Sequence, residues 1–224
     1  MRKIVLLILG VALLHALDVS GGLKEAMSSG IKSAVSELGR DGGFLNSRFR
    51  IPLPDSLSWA SKASKAIVGE RLTNDLIASM NSAAQKAVPR SASIFSDAIT
   101  SLSIDDAKGL LLSNDKQGMT KYFYKKTSSP LLAALKPIIA DEMKRSQVMH
   151  YYDSLKNLAP TNLGLPGSAA TLLGGAGQNF DLEAYVLQKT LDALFVLIGE
   201  KEQAIRENPT MRTSQTLKDV FGGR

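Results

Sequence analysis

The apolar residues of this chain recur at the three- and four-residue spacing of α-helices and do not alternate as they do in β-strands. The first clear amphipathic stripe comprises Leu23, Met27, Ile31, Ala34, Val35 and Leu38. Polar residues occupy most of the positions between them. We therefore predict an amphipathic helix over this segment, ended by Gly39.

Similar stripes predict helices across the next part of the chain. Asp55 is positioned to cap a helix that runs to about Val68 and is broken by Gly69. A second stripe runs from Leu72 to Ala87, and Pro89 begins another helix. This region is therefore expected to form three consecutive helices.

The middle of the chain carries capping and proline signals. Ser103 and Asp106 resemble a capping box at the start of a short helix that ends near Leu112. The apolar spacing predicts a helix over Met119–Lys126, and Pro130 is expected to begin a new one. Pro137 should kink or divide that helix, because proline lacks the amide hydrogen that the helix ladder needs.

The longest predicted helix starts at Asp181 or a neighbour and runs to about Glu207. Within it, Leu191–Ile198 is apolar on nearly every side, which is typical of a helix buried in a core. A final short helix is predicted over 214–221. We therefore predict an all-α fold: a single compact domain over 22–224, with about eight to ten helices and a buried long C-terminal helix.

Two segments do not follow the helical pattern. Residues 40–54 contain Gly-Gly and Pro-x-Pro, which exclude a regular helix, and several large apolar residues. This segment is predicted to be an extended loop packed on the helices. Residues 159–179 are rich in Gly, Pro, Ala and Ser, and are predicted to form a second loop.

The N-terminus has the organisation of a secretory signal peptide. Arg2 and Lys3 precede eleven apolar residues, Ile4 to Leu14, a run too short to span a bilayer. The small residue Ala16 offers a cleavage site, although cleavage near Gly21 is also consistent with the sequence. We therefore predict a signal peptide over 1–16 and a periplasmic protein without a transmembrane segment after cleavage. A buried N-terminal helix or an uncleaved anchor is the alternative. With no cysteine in the chain, a lipoprotein is excluded.

Composition narrows the chemistry further. The net charge of +6 is mild and the charges are interspersed, so nucleic-acid binding is not expected. After signal cleavage the only histidine is His150, which excludes most histidine and cysteine chemistry. The segment 113–118 resembles a calcium loop but has Tyr124 where the twelfth-position glutamate belongs. We predict no catalytic residues, no metal ligands and no cofactor.

Seven sequence blocks carry a resemblance to a known family. They are GGLKEAMSSG (21–30), DGGFLNSRFRIPLPDSL (41–57), MNSAAQKAV (80–88), SIDDAKGLL (103–111), YFYKKTSSPL (122–131), YVLQKTLDALF (185–195) and EKEQAIRENPTMRTSQTLKDVFG (200–222). Together they resemble the bacterial family called domain of unknown function 4197. The resemblance implies an exported, all-helical protein of Gram-negative bacteria and brings no activity, cofactor or catalytic residue.

Function is therefore predicted mainly by exclusion. The leading hypothesis is a non-catalytic periplasmic binding or interaction module whose partner is an unknown envelope protein. One alternative is a carrier of an apolar small molecule such as a lipid, with methionines lining its cavity. A second is a hydrolytic enzyme that uses carboxylates. Polar residues within the family-like blocks are the candidate binding residues: Asn81, Tyr122, Lys126, Glu202 and Arg206.

Overall fold

The structure, a computed structural model, describes residues 2–57, 67–112, 115–157, 180–212 and 218. Within these ranges the regular elements are helices, and no strand is present. The α-helices are α1 (Arg2–Gly39), α2 (Ile67–Ala87), α3 (Ala92–Thr100), α4 (Ile104–Leu112), α5 (Gly118–Arg145), α6 (Val148–Asn157) and α7 (Leu182–Glu207). Short 3-10 turns lie at Asp55–Leu57, Val88–Ser91 and Pro209–Met211. The predicted all-α class is confirmed.

Several predicted helix ends are confirmed in detail. Helix α1 ends at Gly39 and α7 ends at Glu207. At the start of α4, the amide of Asp106 donates to the Ser103 hydroxyl at 3.1 Å. At the start of α7, the carboxylate of Asp181 accepts from the amide of Ala184 at 2.8 Å. Both caps satisfy amides that have no carbonyl partner within their helix.

The predicted helix boundaries at Gly69 and Pro130 are wrong, and Pro137 does not divide its helix. Gly69 lies inside α2, and α5 continues without interruption through Pro130 and Pro137. One helical glycine costs only about 1 kcal/mol. The regularly spaced buried residues Leu131, Leu135, Ile139 and Met143 provide apolar burial that offsets the missing proline donors. The predicted count of eight to ten helices is not confirmed, since two expected boundaries are absent.

Three predictions fall on residues outside the described ranges. They concern the helix proposed after Asp55, most of which lies in 58–66, the loop at 159–179 and the short helix at 214–221. All three stay predictions.

Backbone contacts divide the chain into two compact units, which we describe separately. The first unit comprises Met1–Ser36, Ser91–Leu131 and Leu194–Arg224, and the second comprises Glu37–Arg90 and Leu132–Ala193. Neither the proposed signal cleavage nor the assignment of 22–224 to one domain is tested by this division, so both stay predictions.

The apolar stretch of α7 is buried as its sequence predicts. Leu191, Leu194 and Ile198 are each less than a tenth exposed. Val196 is the exception, because its side chain is 51 % exposed. The helix therefore has one narrow solvent-facing line within an otherwise buried stretch.

In the second unit, residues 40–54 form turns followed by irregular backbone. Phe44 and Ile51 of this segment are almost completely buried. A glycine is required at position 43, since a Cβ there would lie 2.4 Å from the carbonyl oxygen of Leu38. The two glycines of the motif thus let the chain turn sharply after α1.

Candidate functional site

Four of the five candidate residues belong to the first unit, where the central one is Glu202. Its carboxylate is almost fully buried on the last turns of α7. The first oxygen accepts from the amide of Met119 at 3.0 Å. The second accepts from the amide of Thr120 at 2.8 Å and from the Thr120 hydroxyl at 2.7 Å. Glu202 therefore caps the N-terminus of α5 from a distant part of the chain.

This cap is favourable for two physical reasons. The first amides of a helix have no carbonyl partner within the helix, and the carboxylate satisfies two of them. The helix dipole also places partial positive charge at this end, which favours an anion. The anion position at the start of α5 is thus filled by Glu202.

Arg206 forms an ion pair with Glu202, which their four-residue spacing on one helix favours. Its Nε donates to Glu202 at 2.9 Å, and the side chains of Arg206 and Glu202 are only 9 % and 4 % exposed. A second guanidinium nitrogen donates to the carbonyl oxygen of Leu110 at 3.2 Å. An exposed pair at this spacing contributes only a few tenths of a kcal/mol, but that figure does not apply to a buried pair. We call Met119, Thr120, Glu202 and Arg206 the Glu202 cluster.

Tyr122, like Arg206, forms a polar contact with α4. Its hydroxyl donates to the carboxylate of Asp106 at 2.9 Å. This hydrogen bond, followed by the one from Ser103 and the charge of Lys126, lowers the pKa of Asp106 below its ordinary value. Burial raises the pKa of Tyr122, and the neighbouring Asp106 raises it further.

Lys126 lies one helical turn after Tyr122. Its ammonium nitrogen is 5.7 Å from the centre of the Tyr122 ring, within cation–π range. Lys126 is solvent-exposed, so this contact contributes little to stability. The structure thus joins Glu202 directly to Arg206, and Tyr122 directly to Lys126.

Asn81 belongs to the second unit and is fully engaged there. Its side-chain oxygen accepts from the amide of Ile51 at 2.8 Å. Its side-chain nitrogen donates to the carbonyl oxygens of Ile51 at 2.9 Å and of Ile77 at 2.7 Å. The amide therefore holds the 40–54 segment against α2 in the way that a neighbouring strand would.

Two exposed ion pairs surround the Glu202 cluster, and sequence reasoning missed both. Lys121 contacts Asp115 at 2.5 Å, and Lys116 contacts Glu207. Each lysine lowers the pKa of its carboxylate partner. The spacing of Lys116 and Glu207 in sequence offers no signal for such a pair.

The C-terminal turn after α7 is also held by internal contacts. Arg212 donates to the carbonyl oxygens of Ile205 at 3.2 Å and Arg206 at 2.8 Å, both in the last turn of α7. Asn208 accepts from the amide of Thr210 at 3.0 Å. The polar groups around α7 therefore stabilise the local fold.

A small apolar cavity lies beside the Glu202 cluster, lined by Met27, Ile31, Met119 and Phe123 among others. Its volume is about 10 Å³, enough for roughly one water molecule and far too small for a lipid tail. The four methionines considered as lining for an apolar carrier, Met27, Met80, Met119 and Met143, are all buried. This cavity therefore gives the carrier hypothesis no support.

The described residues contain no group of three or more His, Cys, Asp and Glu side chains placed to share a metal ion. Judged by length and apolar character together, none of the helices in the same ranges could cross a membrane. His150 is exposed on α6, with its ring 5.6 Å from the ring of Tyr151.

Residues 14–222 match the sequence model of a family described as protein of unknown function (DUF4197). The chain belongs to this family. The match confirms the resemblance drawn from the seven blocks, and it includes all five candidate residues of this DUF4197 protein. No curated protein and no solved structure gives a significant match.

Proposed function

We propose that this DUF4197 protein is an exported, non-catalytic interaction module that binds an envelope protein through the first unit. The observation that carries the proposal is the exposure of two apolar side chains, one on α5 and one on α7. Tyr124 is 49 % exposed and Val196 is 51 % exposed, although both lie on helices with extensive buried faces. Tyrosine is enriched in the buried centres of protein interfaces.

The surroundings of this pair indicate what it would contact. The Tyr124 ring packs edge-on against the Phe195 ring, with the ring centres 4.9 Å apart, and Val196 directly follows Phe195 on α7. Lys125 lies beside Tyr124 on α5 and is exposed, and Lys121, which pairs with Asp115, lies one turn earlier. A partner with an apolar centre and an acidic rim would complement this surface.

The Glu202 cluster supports the proposal by fixing the two helices that carry the surface. Its buried hydrogen bonds join the start of α5 to the end of α7, so the exposed pair is presented on a preorganised scaffold. Preorganisation lowers the entropy that binding must remove.

The decisive experiment is site-specific photo-crosslinking in cells. A photoreactive residue at position 124 or 196 is expected to capture one partner, whereas the same residue at the exposed Ser29 should not. Val196→Asp should abolish capture from position 124, because it places a charge in the apolar centre. Ser29→Asp is the matched control and should leave capture unchanged. Equal capture from all three positions would overturn the proposal.

The export part of the proposal is tested separately by cell fractionation. The family match begins at residue 14, which supports assigning most of 1–16 to a removable leader. We expect the mature protein in the periplasm, with an N-terminus after Ala16 or near Gly21. Leu7→Arg, which interrupts the apolar run, should leave the full-length protein in the cytoplasm. Efficient export of that variant would contradict the assignment.

A further inference from the structure

An open cleft in the second unit has a composition suited to a ligand. Its volume is about 490 Å³, within the range of ordinary small-molecule sites. The residues that line it come from the last turns of α5 and from Arg90 in the turn before α3. The cleft shares no residue with the Tyr124–Val196 surface.

The charged residues of the cleft leave an excess of positive charge. Arg90, Lys144 and Arg145 line it together with Asp141 and Glu142. Arg145 donates to both carboxylates, at 2.7 Å and 3.0 Å, so these three side chains largely satisfy one another. Arg90 and Lys144 are exposed and form no ion pair with a described residue. Two cations are therefore available to an incoming anion.

The remaining lining is apolar. Pro137, Ile138 and Ala140 contribute to the wall between the charged groups. A ligand that fits this lining has an anionic head and an apolar body. Carboxylate and phosphate heads both match an arginine, which can donate two parallel hydrogen bonds to either.

The end of α5 holds the charged residues in place. Gln147 has a φ of 57°, a left-handed conformation that is uncommon for residues other than glycine. Its amide donates to the carbonyl oxygen of Lys144 at 3.1 Å. A left-handed residue commonly ends a helix, and here it ends α5 directly after the turn that carries Lys144 and Arg145.

We propose that this cleft binds a small amphiphilic anion, whose head lies between Arg90 and Lys144 and whose apolar body lies against Pro137 and Ile138. The proposal does not depend on the envelope partner, since the two sites use different residues. Either one can therefore fail without the other.

Calorimetric titration of the purified protein with four probes tests the proposal. Octanoate and octyl phosphate are expected to bind, whereas octanol lacks the head and acetate lacks the apolar body. Binding by only one of the two anions would identify the preferred head group. Octanol binding as tightly as either anion, or no binding by either anion, would overturn the proposal.

Charge-removing variants locate the site. Arg90→Gln and Lys144→Gln should each weaken anion binding about tenfold, since each removes a charge-assisted contact. Lys136→Gln is the matched control, because Lys136 is exposed on the same helix but does not line the cleft. All three residues are exposed, so the melting temperatures should stay close to that of the unmodified protein. Unchanged anion affinity in Arg90→Gln and Lys144→Gln would place binding elsewhere.

Discussion

Each unit contains a buried polar side chain that bonds the backbone of a distant segment, and the two side chains differ in charge. In the first unit the charged Glu202 accepts four hydrogen bonds from Met119, Thr120 and Arg206. In the second unit the neutral Asn81 makes three bonds to the backbone of Ile51 and Ile77. A neutral amide can satisfy a backbone segment alone, whereas a buried carboxylate also needs a cation, because an unpaired buried charge is strongly unfavourable.

The largest expected effect comes from removing the charge of Glu202. Glu202→Gln should lower the free energy of unfolding by about 3–5 kcal/mol, since it leaves Arg206 buried without its counter-ion. Chemical denaturation monitored by circular dichroism measures this loss. Glu207→Gln is the matched control on the same helix, and its effect should be much smaller because the Lys116 pair is exposed. If both variants lose a similar free energy of unfolding, burial is not what makes the Glu202 pair stronger than the Glu207 pair.

The ion pair itself is isolated by a double-mutant cycle with Glu202→Leu and Arg206→Met. The double variant should be more stable than Glu202→Leu alone, because no buried charge remains unpaired. We expect a coupling energy of about 0.5–3 kcal/mol between the two positions. Strictly additive losses would mean that Glu202 acts only as a helix cap.

Removing the side-chain amide of Asn81 should have a smaller effect on stability. Asn81→Ala leaves the amide and carbonyl of Ile51 without partners and should lower the free energy of unfolding by about 2–3 kcal/mol. Gln85→Ala is the matched control, because Gln85 also bonds the segment, through the amide of Gly42 at 3.1 Å, but is partly exposed to water. Its loss should be clearly smaller than that of Asn81→Ala. If the two losses are equal, the burial of Asn81 is not what makes its contacts strong.

The smallest effect, and the one that depends on pH, is expected at Tyr122. Tyr122→Phe removes the largest contribution that lowers the pKa of Asp106, so that pKa should rise towards its ordinary value of 3.8. A carboxylate with a lowered pKa stabilises the fold above its unfolded-state pKa, and this contribution is lost as the pH falls through the lowered value. The stability difference between the two proteins should therefore be full at neutral pH and shrink as the pH falls below about 4. An NMR titration of the Asp106 carboxyl follows the pKa directly, and an unchanged value in Tyr122→Phe would contradict the assignment.

The candidate residues show how far sequence reasoning reaches. The i, i+4 spacing of Glu202 and Arg206 predicted their pairing, which lies within one helix and follows from helix geometry alone. It could not predict that the pair is buried or that Glu202 caps α5, since those facts depend on residues more than eighty positions away. The hydrogen bonds between Asn81 and Ile51 could not be predicted from the sequence either, because Ile51 is thirty positions distant in a segment without regular spacing.

Sequence alone was enough to predict the helical class, the end of α1 at Gly39, the caps at Ser103 and Asp181, and the buried face of α7. Each of these depends on neighbours within one or two helical turns, where local geometry is fixed by chain chemistry. Tertiary packing determines that α5 continues through Pro130 and Pro137, and which polar side chains form buried hydrogen bonds. The reason is energetic, since burial of a long apolar face can exceed the local cost of a proline, and that burial exists only once the helices are packed.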